Sequence, residues 1–202
     1  MSRVKTAVLV SGGGTNLQAL IDAEQAGKLP HVEFVSVIAS RPDAYALTRA
    51  QNAGIPTHVA QRKGSSQEAF EEAILSYLNQ DQAQLIILAG FMSILSADFV
   101  SKFPRRILNV HPALLPAFGG KGYYGLRVHE AALERGVKVT GATVHYVNEI
   151  ADGGEIILQK AVDVLPGDTP EILQRRVMEQ AEWLLLPRAT ELAAQEILGA
   201  GA

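Results

Sequence analysis

The sequence predicts an α/β fold: a mostly parallel, doubly wound sheet with helices on both faces and an antiparallel extension at its C-terminal end. Three observations carry this. Five short apolar runs in the first half are uninterrupted rather than alternating, the pattern of strands covered on both faces. Stretches with helical spacing separate them, as in successive βαβ units. Two longer runs in the second half alternate better and flank a glycine-containing segment, as in an antiparallel pair.

The elements follow in order. Thr6–Val10 is the first strand, followed by Gly12-Gly13-Gly14, then a helix on Leu17, Leu20 and Ile21 that Gly27 stops. Val32–Ala39 is the second strand; Ala46, Leu47, Ala50 and Ala53 mark a helix ended by Gly54, and Ile55–Ala60 a third strand. Ser65 with Glu68 reads as a capping box. It opens a helix whose apolar set is Phe70, Ala73, Ile74, Tyr77 and Leu78. Leu85–Ala89 and Arg106–Val110 are the fourth and fifth strands. Pro112–Gly125 is loop and Tyr124–Arg135 helix. Val139–Val147 and Glu155–Leu165 form the antiparallel pair around 148–154. Glu171–Leu186 is a long amphipathic helix that Pro187 should kink or end. With no repeat, low-complexity tract or linker, the expectation is one domain over 1–202.

Composition narrows the function. At 202 residues, 48% apolar and 19% charged, the chain is neither disordered nor membrane-embedded. No apolar run reaches the roughly 18 residues of a membrane span, and Met1-Ser2-Arg3-Val4 leads into a strand rather than a signal peptide. The absence of cysteine removes disulfides, thiolate nucleophiles and zinc–cysteine sites. A net charge of −3 argues against nucleic-acid or acidic-membrane partners. A cytoplasmic protein is expected, with chemistry resting on His, Asp, Glu, Asn and backbone amides.

Four groups of residues could carry that chemistry. Ser11–Asn16 sits where the first strand hands over to a helix, a place where free N–H groups favour an anion. It is neither a Walker loop nor a good dinucleotide fingerprint, because Leu17 occupies the third glycine position. A single phosphate is the best guess. The bland alternative is a tight turn capped by Thr15. Asn109 and His111 close the fifth strand on the same side, where ligands of doubly wound sheets bind. An amide beside an imidazole suits a reaction in which a carbonyl oxygen gains charge and a proton moves. The plainer alternative, the commoner one for a lone histidine, is a ring hydrogen-bonded inside a loop. His31, His58, His129 and His145 default to structural roles, and no histidine pair has metal spacing. Asp152, in Asp152-Gly153-Gly154, either shapes a hairpin or orients a histidine. The apolar segment Gly90–Leu95 could flank a flat heterocycle. Glu182 would ordinarily be a solvated surface acid.

Taken together and in order, these blocks resemble the glycinamide ribonucleotide transformylases, the folate-dependent phosphoribosylglycinamide formyltransferases of purine biosynthesis. The likeness runs through Ser11–Asn16, Leu88–Met92, Leu108–Pro116, Thr140–Val147, Asp152–Gly154 and Pro166–Thr169. It implies that Asn109, His111 and Asp152 are the catalytic trio and that Gly14, Thr15 and Asn16 hold the ribonucleotide phosphate. Glu182 would lie near the glycinamide end. Met92, Ser93, Ile94 and Leu95, together with Asn109 and with Asn148, Glu149, Ile150, Ala151 and Asp152, would surround the folate pterin. The chain departs from the family at Ser93, where many members carry arginine, and at Gln67, where an arginine can meet the folate tail. Arg62 or Lys63 could substitute for the latter. Phe118–Gly125 is longer and richer in glycine than the common loop, which suggests a mobile lid.

The implied reaction moves a formyl group from 10-formyltetrahydrofolate, as co-substrate, to the glycinamide amine. Asn109 and protonated His111 would stabilise the oxyanion while Asp152 favours the charged imidazole. No metal is implied, and the partners are small molecules, with a monomer or homodimer expected. Four other readings compete: a formyltetrahydrofolate hydrolase, which typically carries an extra N-terminal regulatory domain; a methionyl-tRNA formyltransferase, which needs a C-terminal barrel and basic surface; an NADP-dependent reductase using Arg41; and a non-catalytic phosphate-ligand sensor.

Overall fold

The computed structural model describes residues 2–199; Met1 and positions 200–202 of the expected 1–202 domain lie outside the described residues. Seven strands form one sheet in the order β3-β2-β1-β4-β5-β6-β7. They are β1 (Val4–Val10), β2 (Val32–Ala39), β3 (Thr57–Val59), β4 (Leu85–Leu88), β5 (Ile107–His111), β6 (Val139–Tyr146) and β7 (Ile156–Asp163). The first five pair in parallel, whereas β6 runs antiparallel to both β5 and β7. The direction of winding changes between β1 and β4, and the carboxyl ends of these strands open a crevice.

Because side chains alternate along a strand, each strand feeds two cores. Val8, Val10, Leu108 and Val144 pack with α1 (Thr15–Gln25), α2 (Tyr45–Asn52), α5 (Leu126–Arg135), α6 (Pro170–Val177) and α7 (Trp183–Gly199). Ala7, Leu9, Ile86, Leu88 and Ile107 face the other way, against α3 (Gln67–Gln80) and α4 (Ala97–Ser101). The buried set on that second face takes nothing from β6 or β7. Polar groups at the carboxyl end of β5 and on β6 therefore lie past this buried set, to which β5 contributes only Ile107.

Several expectations are corrected. The cap of α3 is Ser66, whose hydroxyl accepts the Ala69 N–H at 3.1 Å, while Ser65 bonds back to the Gln61 carbonyl. Thr15 does not cap α1. Gly14 holds that position in left-handed geometry, with no side-chain bond. The short helix α4 was not expected; Ser96 caps it through the Phe99 N–H. β6 is buried at seven of eight positions rather than alternating, because helices cover one face and the chain segments around Ala113–Leu115 and Asp152 cover the other. Pro187 ends nothing: the helix continues to Gly199. A π turn, Met178–Glu182, immediately precedes α7, with the Trp183 N–H reaching back to the Met178 carbonyl. Proline crowds the carbonyl four residues earlier, here that of Trp183, at the point where the wide turn closes and the register has already shifted.

Candidate active site

Asn109 and His111 share the same side of β5, two residues apart. The antiparallel register sets His145 opposite Asn109 and Thr143 opposite His111, so four polar side chains share one face. Thr143 organises the chain beyond β5: its hydroxyl donates to the Ala113 carbonyl (2.7 Å) and accepts the Leu115 N–H (3.0 Å). Asn109 Nδ2 donates to His145 Nε2 at 3.2 Å, and His145 Nδ1–H donates to the Tyr146 carbonyl at 2.8 Å. One amide hydrogen of Asn109 remains for a substrate oxygen.

Asp152 arrives from far along the chain. The 147–154 segment leaves β6 beside the N-terminal end of β5, where the Val147 N–H meets the Ile107 carbonyl. It then folds back over the polar face. Asp152 sits between two histidines, 3.5 Å from His111 Nδ1 and 3.6 Å from His145 Nε2. Its backbone is left-handed (φ 55°), a strained position for a side-chain-bearing residue. The turn is further fixed by Gly154, where a Cβ would lie 1.7 Å from the Tyr146 carbonyl oxygen. Asp152 thus lies in a tight turn and has its carboxylate beside His111.

Burial works against the Asp152 charge, yet His145, His111 and the Gly120 N–H (2.8 Å) together hold the carboxyl below its ordinary range. His111 differs from expectation. Burial pulls its imidazole below the ordinary value, outweighing Asp152 and the Phe118 carbonyl, so the neutral form is favoured at neutral pH. His111 Nε2–H donates to the Phe118 carbonyl at 2.8 Å. An acceptor therefore faces each nitrogen, and the ring can donate to both only as imidazolium. Segment 118–125 thereby engages two members of the trio through its backbone.

The glycine loop Gly12–Asn16 lies at the carboxyl end of β1. Asn16 is buried, and its amide donates to Glu182 Oε2 at 2.7 Å across 166 residues. Glu182 is consequently no solvated acid: it is 6% exposed, and burial pushes its carboxyl up to about 7 against the pull of Asn16. Thr15 is exposed at the first helical position. Sequence reasoning missed Arg49, which donates through Nε to the Gly13 carbonyl at 2.8 Å and braces the loop from α2. The apolar loop after β4 presents Met92 and Ile94 to solvent, with Ser93 and Leu95 half-buried. Across the cleft Ile150 is exposed, as are Glu149 and Ala151, while Asn148 is half-buried and shapes its own turn by accepting the Ile150 N–H.

His145 is also a site residue that sequence reasoning missed. His31 and His58 keep structural roles, paired with Glu191 (2.5 Å) and Asp81 (2.9 Å). His129 is fully buried with neither ring nitrogen bonded, and burial plus the His111 charge depress it to about 4. Among the described residues no cluster of three or more His, Asp or Glu is arranged to hold a metal. None of their helices is long and apolar enough to cross a membrane.

Comparison with known proteins bears on this geometry. The formyl transferase family matches residues 4–190. The phosphoribosylglycinamide formyltransferase of Haemophilus influenzae is 44% identical over 184 residues, covering 91% of this chain and 84% of that protein. The trifunctional purine biosynthetic protein adenosine-3 of Gallus gallus is 44% identical over 99% of this chain, which spans only 19% of that relative's length. The crystal structure of glycinamide ribonucleotide transformylase 1 from Symbiobacterium toebii superposes with a TM-score of 0.89 at 42% identity, covering 96% of this chain and 89% of that one.

Proposed function

This chain belongs to the formyl transferase family, and from that premise we propose that it transfers the formyl group of 10-formyltetrahydrofolate to the amine of glycinamide ribonucleotide in purine biosynthesis. The observation that carries the proposal is the gathering of Asn109, His111 and Asp152 at the carboxyl end of β5, with Asp152 3.5 Å from His111 and both Asn109 and Asp152 beside His145. The proposal treats 1–202 as one formyltransferase domain in the cytoplasm, acting on small molecules without a metal. It extends to no other activity of the trifunctional relatives.

In this reading Gly14–Asn16 hold the phosphate by backbone N–H groups. Glu182 meets the glycinamide end, and Met92–Leu95 with Asn148–Asp152 enclose the pterin. The neutral amine attacks the formyl carbon. As the carbonyl π bond opens, the free Asn109 amide hydrogen and an imidazolium at His111 take the charge on oxygen. The amine loses its proton, the bond from carbon to the folate nitrogen breaks, and that nitrogen gains a proton through His111 and Asp152. His111 starts neutral because it is buried. It becomes the imidazolium by taking the proton that the attacking amine gives up as the new carbon–nitrogen bond forms. Asp152 lowers the cost of that charge, and the ring then passes the same proton to the departing folate nitrogen. The Phe118 carbonyl occupies His111 Nε2 until substrate replaces it.

The test mixes the protein with both substrates and follows folate absorbance with and without the ribonucleotide. Formyl loss that requires the ribonucleotide supports the transferase. Equal loss without it would identify a hydrolase, and no loss with tight phosphate binding a non-catalytic sensor.

A further inference from the structure

The loop between β4 and α4 is an arch with apolar side chains pointing out. Met92 and Ile94 are 55% and 71% exposed, so their burial cannot be what holds the backbone in shape. The hold comes from polar anchors at both ends. At the near end the Met92 N–H donates to the Ser11 hydroxyl at 3.0 Å, itself bonded to Ser40 at 2.7 Å. At the far end the anchor is a carboxylate, Glu71 on α3.

Glu71 is 7% exposed, and no ion pair of the described residues includes it. A buried carboxylate without a cation is costly unless hydrogen bonds replace its water. Here three do, each at 2.6 Å. Oε1 accepts the Ser96 N–H and the Gln67 amide, and Oε2 accepts the Ser96 hydroxyl. The Gln67 amide nitrogen also donates to the Ile94 carbonyl at 3.0 Å. Every bond of Glu71 therefore ends on the arch or on the side chain that holds the arch. Helix α4 does not need it for a cap, since Ser96 already receives the Phe99 N–H.

We infer that Glu71 is a positioning residue for the formyl-folate site: it fixes the Met92–Leu95 arch in its binding shape before the folate arrives. The inference rests on the proposed role of that arch in folate binding. Ordering a free loop on binding costs affinity, and a pre-ordered loop avoids that cost. The effect belongs to folate affinity and not to the ribonucleotide or the chemical step.

The experiment measures KM for each substrate, kcat and melting temperature in the full chain. Glu71→Gln keeps the size but turns one acceptor into a donor facing Ser96 or Gln67. The expected result is a rise of about tenfold in KM for 10-formyltetrahydrofolate, with kcat and the ribonucleotide KM within about twofold of wild type. Glu72→Gln, on the exposed neighbouring residue, should leave all of these unchanged. If Glu71→Gln does not fold, Ser96→Ala decides: the folate KM alone should rise about threefold. Equal rises in both KM values, a fall confined to kcat, or no change would overturn the inference while leaving the transferase intact. A wild-type protein without ribonucleotide-dependent transfer would remove the proposed function, and this inference with it, before any variant is made.

Discussion

His111 sits between opposing demands. Burial favours its neutral form, whereas Asp152 at 3.5 Å and the Phe118 carbonyl favour the charged one. In the proposed mechanism His111 is both proton carrier and electrophile, so His111→Ala should lower kcat roughly 10²–10⁴-fold, the usual span for a placed proton-transfer group. Both substrates should still bind in titrations of the variant; near-normal turnover would return His111 to a structural role. Asp152→Asn keeps the shape, and its amide oxygen can still accept the Gly120 N–H. The charge is lost, so the imidazole pKa should drop further and the limb of the pH–rate profile set by His111 should move to lower pH. The expected fall in kcat is roughly 10²-fold or more, with a nearly unchanged melting temperature. A destabilised but fully active variant would make Asp152 a turn residue only.

The elements place these residues through their ends. Gly14 takes φ 74° to turn β1 into α1, and a Cβ there would stand 2.7 Å from Ala46 Cβ on α2. Gly14→Ala should therefore cost about 1–2 kcal/mol from backbone geometry alone, and more from the contact with Ala46. Ribonucleotide affinity should fall with it. Folate affinity should hold, because the arch after β4 is anchored separately by Ser11 and Glu71. Parallel titrations of the two substrates check this; an equal loss of both would deny separate subsites. The π turn has a comparable positional effect, since its last residue is Glu182, turned inward onto Asn16.

At the scale of the whole molecule, pH should act on stability through buried ionisable groups with opposite signs. Glu182 has a folded value near 7 against 4.5 as its ordinary value, so the folded state binds more protons between these limits and stability falls as pH rises through them. His111 and His129 are depressed, His129 to about 4, so they lose stability as pH falls below the ordinary imidazole value of 6.5. The two effects overlap, and the wild-type curve alone will not separate them. Glu182→Gln should. Its stability relative to wild type should grow by about 2–3 kcal/mol from pH 4.5 to pH 7.5, measured by denaturant unfolding. A constant difference across that range would mean that Glu182 is not titrating in the fold.

How much of this was legible in advance depends on distance along the chain. The parallel strands, the glycine turn and the shared side of Asn109 and His111 follow from local periodicity, because alternation along an extended strand needs no partner. Asp152 stood out by its Gly-Gly turn and the family resemblance gave Glu182 a place in the site, while the surroundings of both depended on packing. His145 joined the site through the β5–β6 register, which two distant segments set together. Asp152 reached His111 only because the 147–154 turn folds back over the sheet. Glu182 looked like a surface acid on an amphipathic helix until the π turn and the packing around Asn16 buried it. The same packing decided the protonation of the site. Whether a carboxyl or an imidazole is charged depends on lost water and on neighbours from other elements, and these exist only once the chain has folded.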